Sequence, residues 1–132
     1  WGIEHEYTVI LQYLFQSYMT IDREAKKQLE DQAINEMQHL GWLAEKIVGR
    51  KGSPSMKHKQ VDTSTDLAHG LAADVEIERQ VAEAYEKYAA ATDDPGVKRL
   101  LLRLRDHELY HAELFGSLLK EEQLRIDEEE DE

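Results

Sequence analysis

Apolar residues recur every three to four positions along four stretches of the chain, the spacing that places them on one face of an α-helix. The first predicted helix runs from about residue 3 to 19, and the second from about 23 to 48. The third runs from about 67 to 91. The fourth begins at Pro95, directly after Asp94, a residue suited to cap a helix. The pattern therefore predicts an all-α protein.

The connections between the predicted helices differ in length. Only a few residues join the first helix to the second and the third to the fourth, which favours two antiparallel hairpins. The middle connection, residues 49–66, is long and rich in Gly, Ser, Pro and Lys. Each long helix spans roughly 35 Å, and an extended connection of this length can cross it. We therefore expect a four-helix bundle with one long crossover, or alternatively two hairpins that dimerise through a disordered linker.

Six of the charged or polar residues on the apolar faces of these helices form a regular pattern. Charged groups in a protein core are costly unless they are paired or bind a metal. Each helix contributes one glutamate, and two helices add a histidine three residues later, on the same helical face. The six residues are Glu6, Glu36, His39, Glu78, Glu108 and His111.

The spacing of these residues repeats between the two halves of the chain. The glutamates of the first two helices are 30 residues apart, and so are those of the last two. A shift of 72 residues maps the three residues of the first half onto those of the second half. Asp74, one turn before Glu78, also lies on the inner face of the third helix. The repeat nevertheless selects Glu78 as the ligand and leaves Asp74 beside it.

Carboxylate oxygens together with imidazole nitrogens form a ligand set that suits iron or manganese. Four glutamates and two histidines can hold two ions through shared carboxylates and still leave coordination positions for oxygen or peroxide. We therefore predict a dinuclear metal centre, and the ligand types leave the choice between iron and manganese open. The alternative is a bundle whose buried acids pair with histidine without metal.

Four segments around these residues carry a resemblance to a known family. They are residues 6–13 (EYTVILQY), 35–39 (NEMQH), 74–78 (DVEIE) and 108–111 (ELYH). Each resembles the motif of the corresponding helix in the bacterioferritin and rubrerythrin branch of the ferritin-like superfamily, and bacterioferritin is the closest match. The resemblance implies a ferritin-like four-helix bundle. It also implies bridging roles for Glu36 and Glu108, terminal roles for Glu6 and Glu78, and one iron completed by each of His39 and His111.

The resemblance also implies a function. A bacterioferritin-like protein oxidises Fe(II) with oxygen or peroxide, as a ferroxidase in iron storage or detoxification, and works as a homo-oligomer, at least a dimer. A rubrerythrin-like peroxide-scavenging diiron or dimanganese enzyme is the alternative. It is the weaker match, because Val81 stands where an extra glutamate is expected and the chain has no cysteine. A non-catalytic metal-carrying or interaction protein is the alternative of another class.

Met37 falls where bacterioferritin has the methionine that ligates haem between two subunits. A symmetric dimer would supply two such methionines to one haem iron. The other interpretation is an outward methionine that packs at a dimer interface, which is the commoner role for such a residue. Haem is therefore an open cofactor prediction.

Composition narrows the functional classes further. The formal net charge of −12 disfavours nucleic-acid binding, and no apolar run is long enough to span a membrane. The absence of cysteine fits a reducing compartment, so we expect a cytoplasmic protein. We expect residues 1–126 to form one domain. Residues 127–132 are all acidic, and we expect them to be a disordered tail.

Overall fold

The computed structural model describes residues 1–131, with side chains for residues 1–130, and contains four α-helices and no strand within that range. Their bounds agree with the predicted ones to about a residue where both ends were predicted, so the all-α fold class is confirmed. The chain divides into two compact units, of which the first is Trp1–Thr65 and the second begins at Asp66. The helices are α1 Gly2–Met19, α2 Arg23–Gly49, α3 Leu67–Ala91 and α4 Pro95–Asp131.

Three of the helices begin at an aspartate whose side chain accepts a hydrogen bond from the first turn. The Asp22 carboxylate accepts from the Ala25 amide at the start of α2, and Asp66 accepts from the third helix in the same way. At α4, one oxygen of Asp94 accepts from the amides of residues 96 and 97, and Pro95 occupies the first helical position. These caps satisfy amides that have no partner inside a helix.

The first unit is a hairpin of α1 and α2. The end of α1 lies beside the start of α2, because the Lys26 ammonium donates to the Ser17 carbonyl at 3.0 Å. Only residues 20–22 separate the two helices, so they run antiparallel. Fully buried apolar side chains of this hairpin include Val9, Tyr13, Leu29 and Ala33.

The connection after α2 is hydrogen-bonded along the side of α1. The Lys59 amide donates to the Thr8 hydroxyl at 2.8 Å, and the Asp62 amide donates to the Gln12 side-chain oxygen at 3.1 Å. Residue numbers rise in the same direction along the connection and along α1 from the first contact to the second. This part of the connection therefore runs in the same direction as α1. This is an ordered strap held by side chains of α1, as a crossover requires.

The second unit is a hairpin of α3 and α4. Arg105 of α4 forms an ion pair with Glu86 of α3 at 3.2 Å, and residues 92–94 form the turn between the helices. The pairing of a late α3 residue with an early α4 residue shows that these helices are antiparallel as well. Its buried apolar side chains include Leu71, Leu104 and Phe115.

The structure differs from the expected disordered tail over residues 127–131, because α4 continues as a helix to Asp131. After Gly116 the chain has no glycine or proline to end the helix, and Glu, Lys, Gln, Leu and Arg are all good helix formers. Arg125 also pairs with Glu122 one turn earlier. Residue 132 lies outside the described residues, and the predicted domain boundary at 126 stays a prediction.

We expect the Asp94→Ala substitution to lower the free energy of unfolding by about 1 kcal/mol, because two amides of α4 lose their acceptor. Urea unfolding followed by circular dichroism measures the change. Asp93→Ala is the matched control, because Asp93 is the exposed neighbour of Asp94. Equal losses in the two variants would contradict the capping role of Asp94.

Candidate metal centre

The structure buries all six predicted metal ligands. The four glutamates are 0% exposed, His39 is 0% exposed and His111 is 1% exposed. Carboxylates are among the side chains least often buried completely, and a buried charge needs a partner of opposite sign. Six ionisable side chains therefore lie in the core, on the helix faces that the sequence predicted to be buried.

In the first hairpin, three of these residues meet at one point. The His39 Nδ1 atom lies 3.3 Å from the Glu36 carboxylate and 3.7 Å from the Glu6 carboxylate. Glu36 and His39 share a face of α2 because they are three residues apart, and α1 brings Glu6 to them. Donor atoms of the three residues lie within 4.8 Å of one another, a spacing that a single cation can bridge.

The second hairpin repeats this arrangement with its own helices. The His111 Nδ1 atom of α4 lies 3.7 Å from the Glu78 carboxylate of α3. Donor atoms of Glu78, Glu108 and His111 also lie within 4.8 Å of one another. The 72-residue repeat of the sequence thus corresponds to two hairpins that each gather two carboxylates and one imidazole.

Opposing effects act on the Glu6 carboxyl group. Burial on its own raises the pKa of Glu6, but hydrogen bonds with Glu36 and His39 and the charges of His5 and His39 outweigh it. Together they lower the pKa from its ordinary value of 4.5 to about 2. Glu6 is therefore a carboxylate at neutral pH although it is completely buried.

The charges of each hairpin do not cancel without an additional positive group. Two ionised carboxylates and one protonated imidazole would carry an excess of one negative charge, which either a proton shared between the carboxyl groups or a cation removes. A hydrogen bond between two carboxyl groups, such as Glu6 and Glu36, requires a shared proton. A metal ion supplies the missing charge and accepts the same oxygen and nitrogen atoms, so the residues fit iron or manganese.

Two aromatic contacts near these residues were not foreseen from the sequence. The indole of Trp42 lies against the His39 imidazole, with ring centroids 5.6 Å apart. The His5 imidazole is only 7% exposed and stacks on Trp1, with ring centroids 6.1 Å apart. The spacing of three residues between His39 and Trp42 is the signal that could have indicated the first contact.

Met37 lies on a different side of α2 from these ligands and is 48% exposed. Its exposure is compatible with both interpretations of this residue, the haem ligand and the interface contact. Within the described residues, none of the helices combines the length and apolar character that crossing a membrane requires.

A model of the ferritin-like domain family matches residues 2–124 of this chain. The match covers all of α1, α2 and α3 and most of α4. The chain therefore belongs to the ferritin-like domain family, and its fold is the four-helix bundle of that family.

A curated relative is the 3-demethoxyubiquinol 3-hydroxylase of Chromobacterium violaceum. It is 31% identical over 119 residues, which cover 80% of this chain and 57% of the hydroxylase. The chain thus spans little more than half the length of that enzyme.

Two solved structures show the same fold. The bacterioferritin of Desulfovibrio desulfuricans, which has a diiron site, superposes with a TM-score of 0.85 at 25% identity and covers 90% of this chain and 74% of its own. A manganese catalase from Anabaena superposes with a TM-score of 0.80 at 22% identity and covers 88% of this chain and 65% of its own. The solved structures that resemble this chain thus include a protein with a diiron site and a manganese enzyme.

We expect manganese(II) to raise the melting temperature of the protein relative to a chelator, because an ion that binds only the folded state stabilises it. The gain is about 2.7 kcal/mol when the free ion is at a hundred times its dissociation constant. Thermal unfolding with manganese and with chelator measures the shift for each variant separately. His39→Ala should reduce the shift, and His58→Ala, at an exposed histidine of the same unit, should leave it unchanged. An equal shift in all three proteins would contradict the assignment.

Proposed function

We propose that the six buried residues hold two metal ions in one dinuclear centre, and that this centre oxidises Fe(II) with oxygen or peroxide. The observation that supports this most directly is the repetition of the same three ligands in both hairpins, completely or almost completely buried. A single buried set could be an internal ion pair. Two matching sets of two carboxyl groups and one imidazole favour two cations.

In the proposed centre, Glu36 and Glu108 bridge the two ions, as the likeness to bacterioferritin implies. Glu6 of α1 and Glu78 of α3 would each bind one of the two ions. His39 and His111 complete the two ions through Nδ1, the nitrogen that already faces the carboxylates of its own hairpin. In this assignment Glu36 and Glu108 would bind both ions and each of the other four residues would bind one, which leaves coordination positions for a small oxidant.

The proposed reaction balances two iron ions against one oxidant. Two Fe(II) ions lose one electron each, and oxygen takes up the two electrons with two protons to give hydrogen peroxide. When peroxide is the oxidant, the same two electrons and two protons give two molecules of water. Iron is then substrate as well as occupant of the site, and the ferric product is stored or released.

The protein residues would favour this reaction through charge. Each iron gains one positive charge on oxidation, and the four carboxylates stabilise the higher charge more strongly in a buried site than they would in water. Burial also limits the access of water to the oxidant. Glu6, with its lowered pKa, supplies a negative charge that needs no deprotonation at neutral pH.

We expect a fast phase of oxygen uptake and ferric absorbance that saturates at two irons per chain, when oxygen is admitted to protein loaded anaerobically with Fe(II). Glu36→Ala and His111→Ala should abolish the fast phase, because each removes a ligand. Glu113→Ala, at an exposed glutamate of α4, is the matched control and should keep it. Unchanged kinetics in both ligand variants would refute the proposal.

A second candidate function is peroxide scavenging by a diiron or dimanganese form, which the fold of the manganese catalase favours. In this function peroxide is the substrate to be removed, whereas in the leading proposal Fe(II) is the substrate. Peroxide would then oxidise bound Fe(II) faster than oxygen does, or the manganese-loaded protein would release oxygen from peroxide. The hydroxylase relative extends the candidates to oxygen insertion into an organic substrate. A metal carrier without catalysis would bind both ions and show none of these reactions.

The surface of α2 supports the proposal that the protein forms a homo-oligomer. Ile34, Met37 and Val48 are 53%, 48% and 58% exposed and recur at intervals that place them along one side of the helix. Such a row is typical of an interface between subunits. A haem held by two copies of Met37 would lie within this interface, and an absorbance spectrum of the purified protein tests for it.

We expect Met37→Glu to convert the oligomer to a smaller species in light scattering, because it places a charge in an apolar contact. Gln38→Glu is the matched control, because it adds the same charge at the exposed neighbouring position. Iron oxidation by each chain should persist in both variants. An unchanged mass for Met37→Glu would argue against an interface on this face of α2.

A further inference from the structure

The contact between Trp42 and His39 is made within α2. The centroids of the indole and imidazole rings are 5.6 Å apart, and the ring planes meet at 30°. Residues three apart on a helix are neighbours on its surface, so the helix itself brings the indole to the side of the imidazole. The Nδ1 atom of the imidazole faces the carboxylates of Glu36 and Glu6. The contact thus joins an aromatic side chain to a ligand that is 0% exposed.

The second hairpin has a different residue at the equivalent position. The shift of 72 residues maps His39 onto His111 but maps Trp42 onto Leu114. Tyr110 is one aromatic neighbour of His111. Its ring centroid is 6.4 Å away at 59°, and it is 59% exposed. The two hairpins therefore carry the same three ligands, but the packing around their imidazoles differs.

We propose that Trp42 is a positioning residue for His39: its indole packs against the imidazole and holds Nδ1 toward the carboxylates of Glu36 and Glu6. This inference rests on the proposed function, because it assumes that His39 binds a metal ion. It predicts that replacing Trp42 weakens binding of the ion on His39 and leaves binding of the ion on His111 unchanged.

The physical reason lies in the rotation of the imidazole. The final torsion of a histidine side chain has a broad energy profile, so packing determines which way Nδ1 points. A ligand that already points at the ion loses less freedom on binding. Aromatic pairs contribute about 0.5–1.5 kcal/mol beyond burial, which corresponds to about two- to tenfold in the affinity of the ion.

Cobalt(II) is the probe for the test, because its visible absorbance reports ligand geometry and it binds without turnover. Trp42→Leu gives α2 the residue that α4 has at the equivalent position. We expect this variant to bind one of its two cobalt ions about two- to tenfold more weakly, with an altered absorbance band for that ion. Trp42→Phe keeps an aromatic ring and should restore most of the affinity and the band. Circular dichroism of the metal-free variants checks that they fold.

Trp1→Leu is the matched control, since Trp1 stacks on His5, which is not a proposed ligand. It should leave both cobalt affinities unchanged. Two cobalt ions bound by the wild-type protein, with no change in Trp42→Leu, would overturn the positioning role and leave the dinuclear centre standing. Equal losses in folded Trp42→Leu and Trp42→Phe would also overturn it. A wild-type protein that binds no cobalt, manganese or iron would overturn both the positioning role and the proposed function.

Discussion

Burying a carboxylate costs several kcal/mol unless a positive charge accompanies it, and this chain buries four glutamates at 0% exposure. That constraint determines how the rest of the structure is built. Each of the four amphipathic helices carries one of these glutamates, and the apolar residues before and after it offset the free energy that its burial costs. Tyr13, Leu29, Tyr85 and Leu104 are among the fully buried residues that do so. The site and the core therefore compete for the same positions on each helix.

The helices and the burial of the ligands were predictable because both depend on spacing. An interval of three or four residues fixes which side chains share a face, whatever those side chains contact, and this was sufficient to place Glu6, Glu36 and His39 on buried faces. The helical course of residues 127–131 was not predicted. In these residues, repulsion between neighbouring acids opposes helix formation, and the helix propensity of glutamate favours it. The charge pattern alone does not show which effect is larger. The hydrogen bond of the strap to Thr8 depends on side-chain packing, which spacing does not specify. The three-residue spacing of His39 and Trp42 indicates a shared helix face, but not how the two rings pack.

Two hairpins with the same ligands but different neighbours show how a repeated pattern diverges. The ligand positions are preserved under the 72-residue shift, whereas Trp42 and Leu114 are not alike. In chemical terms, ligand identity limits which metals can bind, and packing around the ligands adjusts how firmly each is held. In the proposed centre, packing around the imidazoles would therefore adjust how tightly each ion is held without a change of ligand.

The strap between the hairpins is fastened to α1 through Thr8 and Gln12, and its earlier part, residues 52–57, is exposed apart from Pro54. Exposed segments of this kind are where proteins tolerate insertions and new chain ends. The strap is thus a natural position at which to cut the polypeptide or open a circular permutant. A cut at this position would leave each set of three proposed ligands on an uninterrupted hairpin. The two halves could then be produced and labelled separately and mixed afterwards.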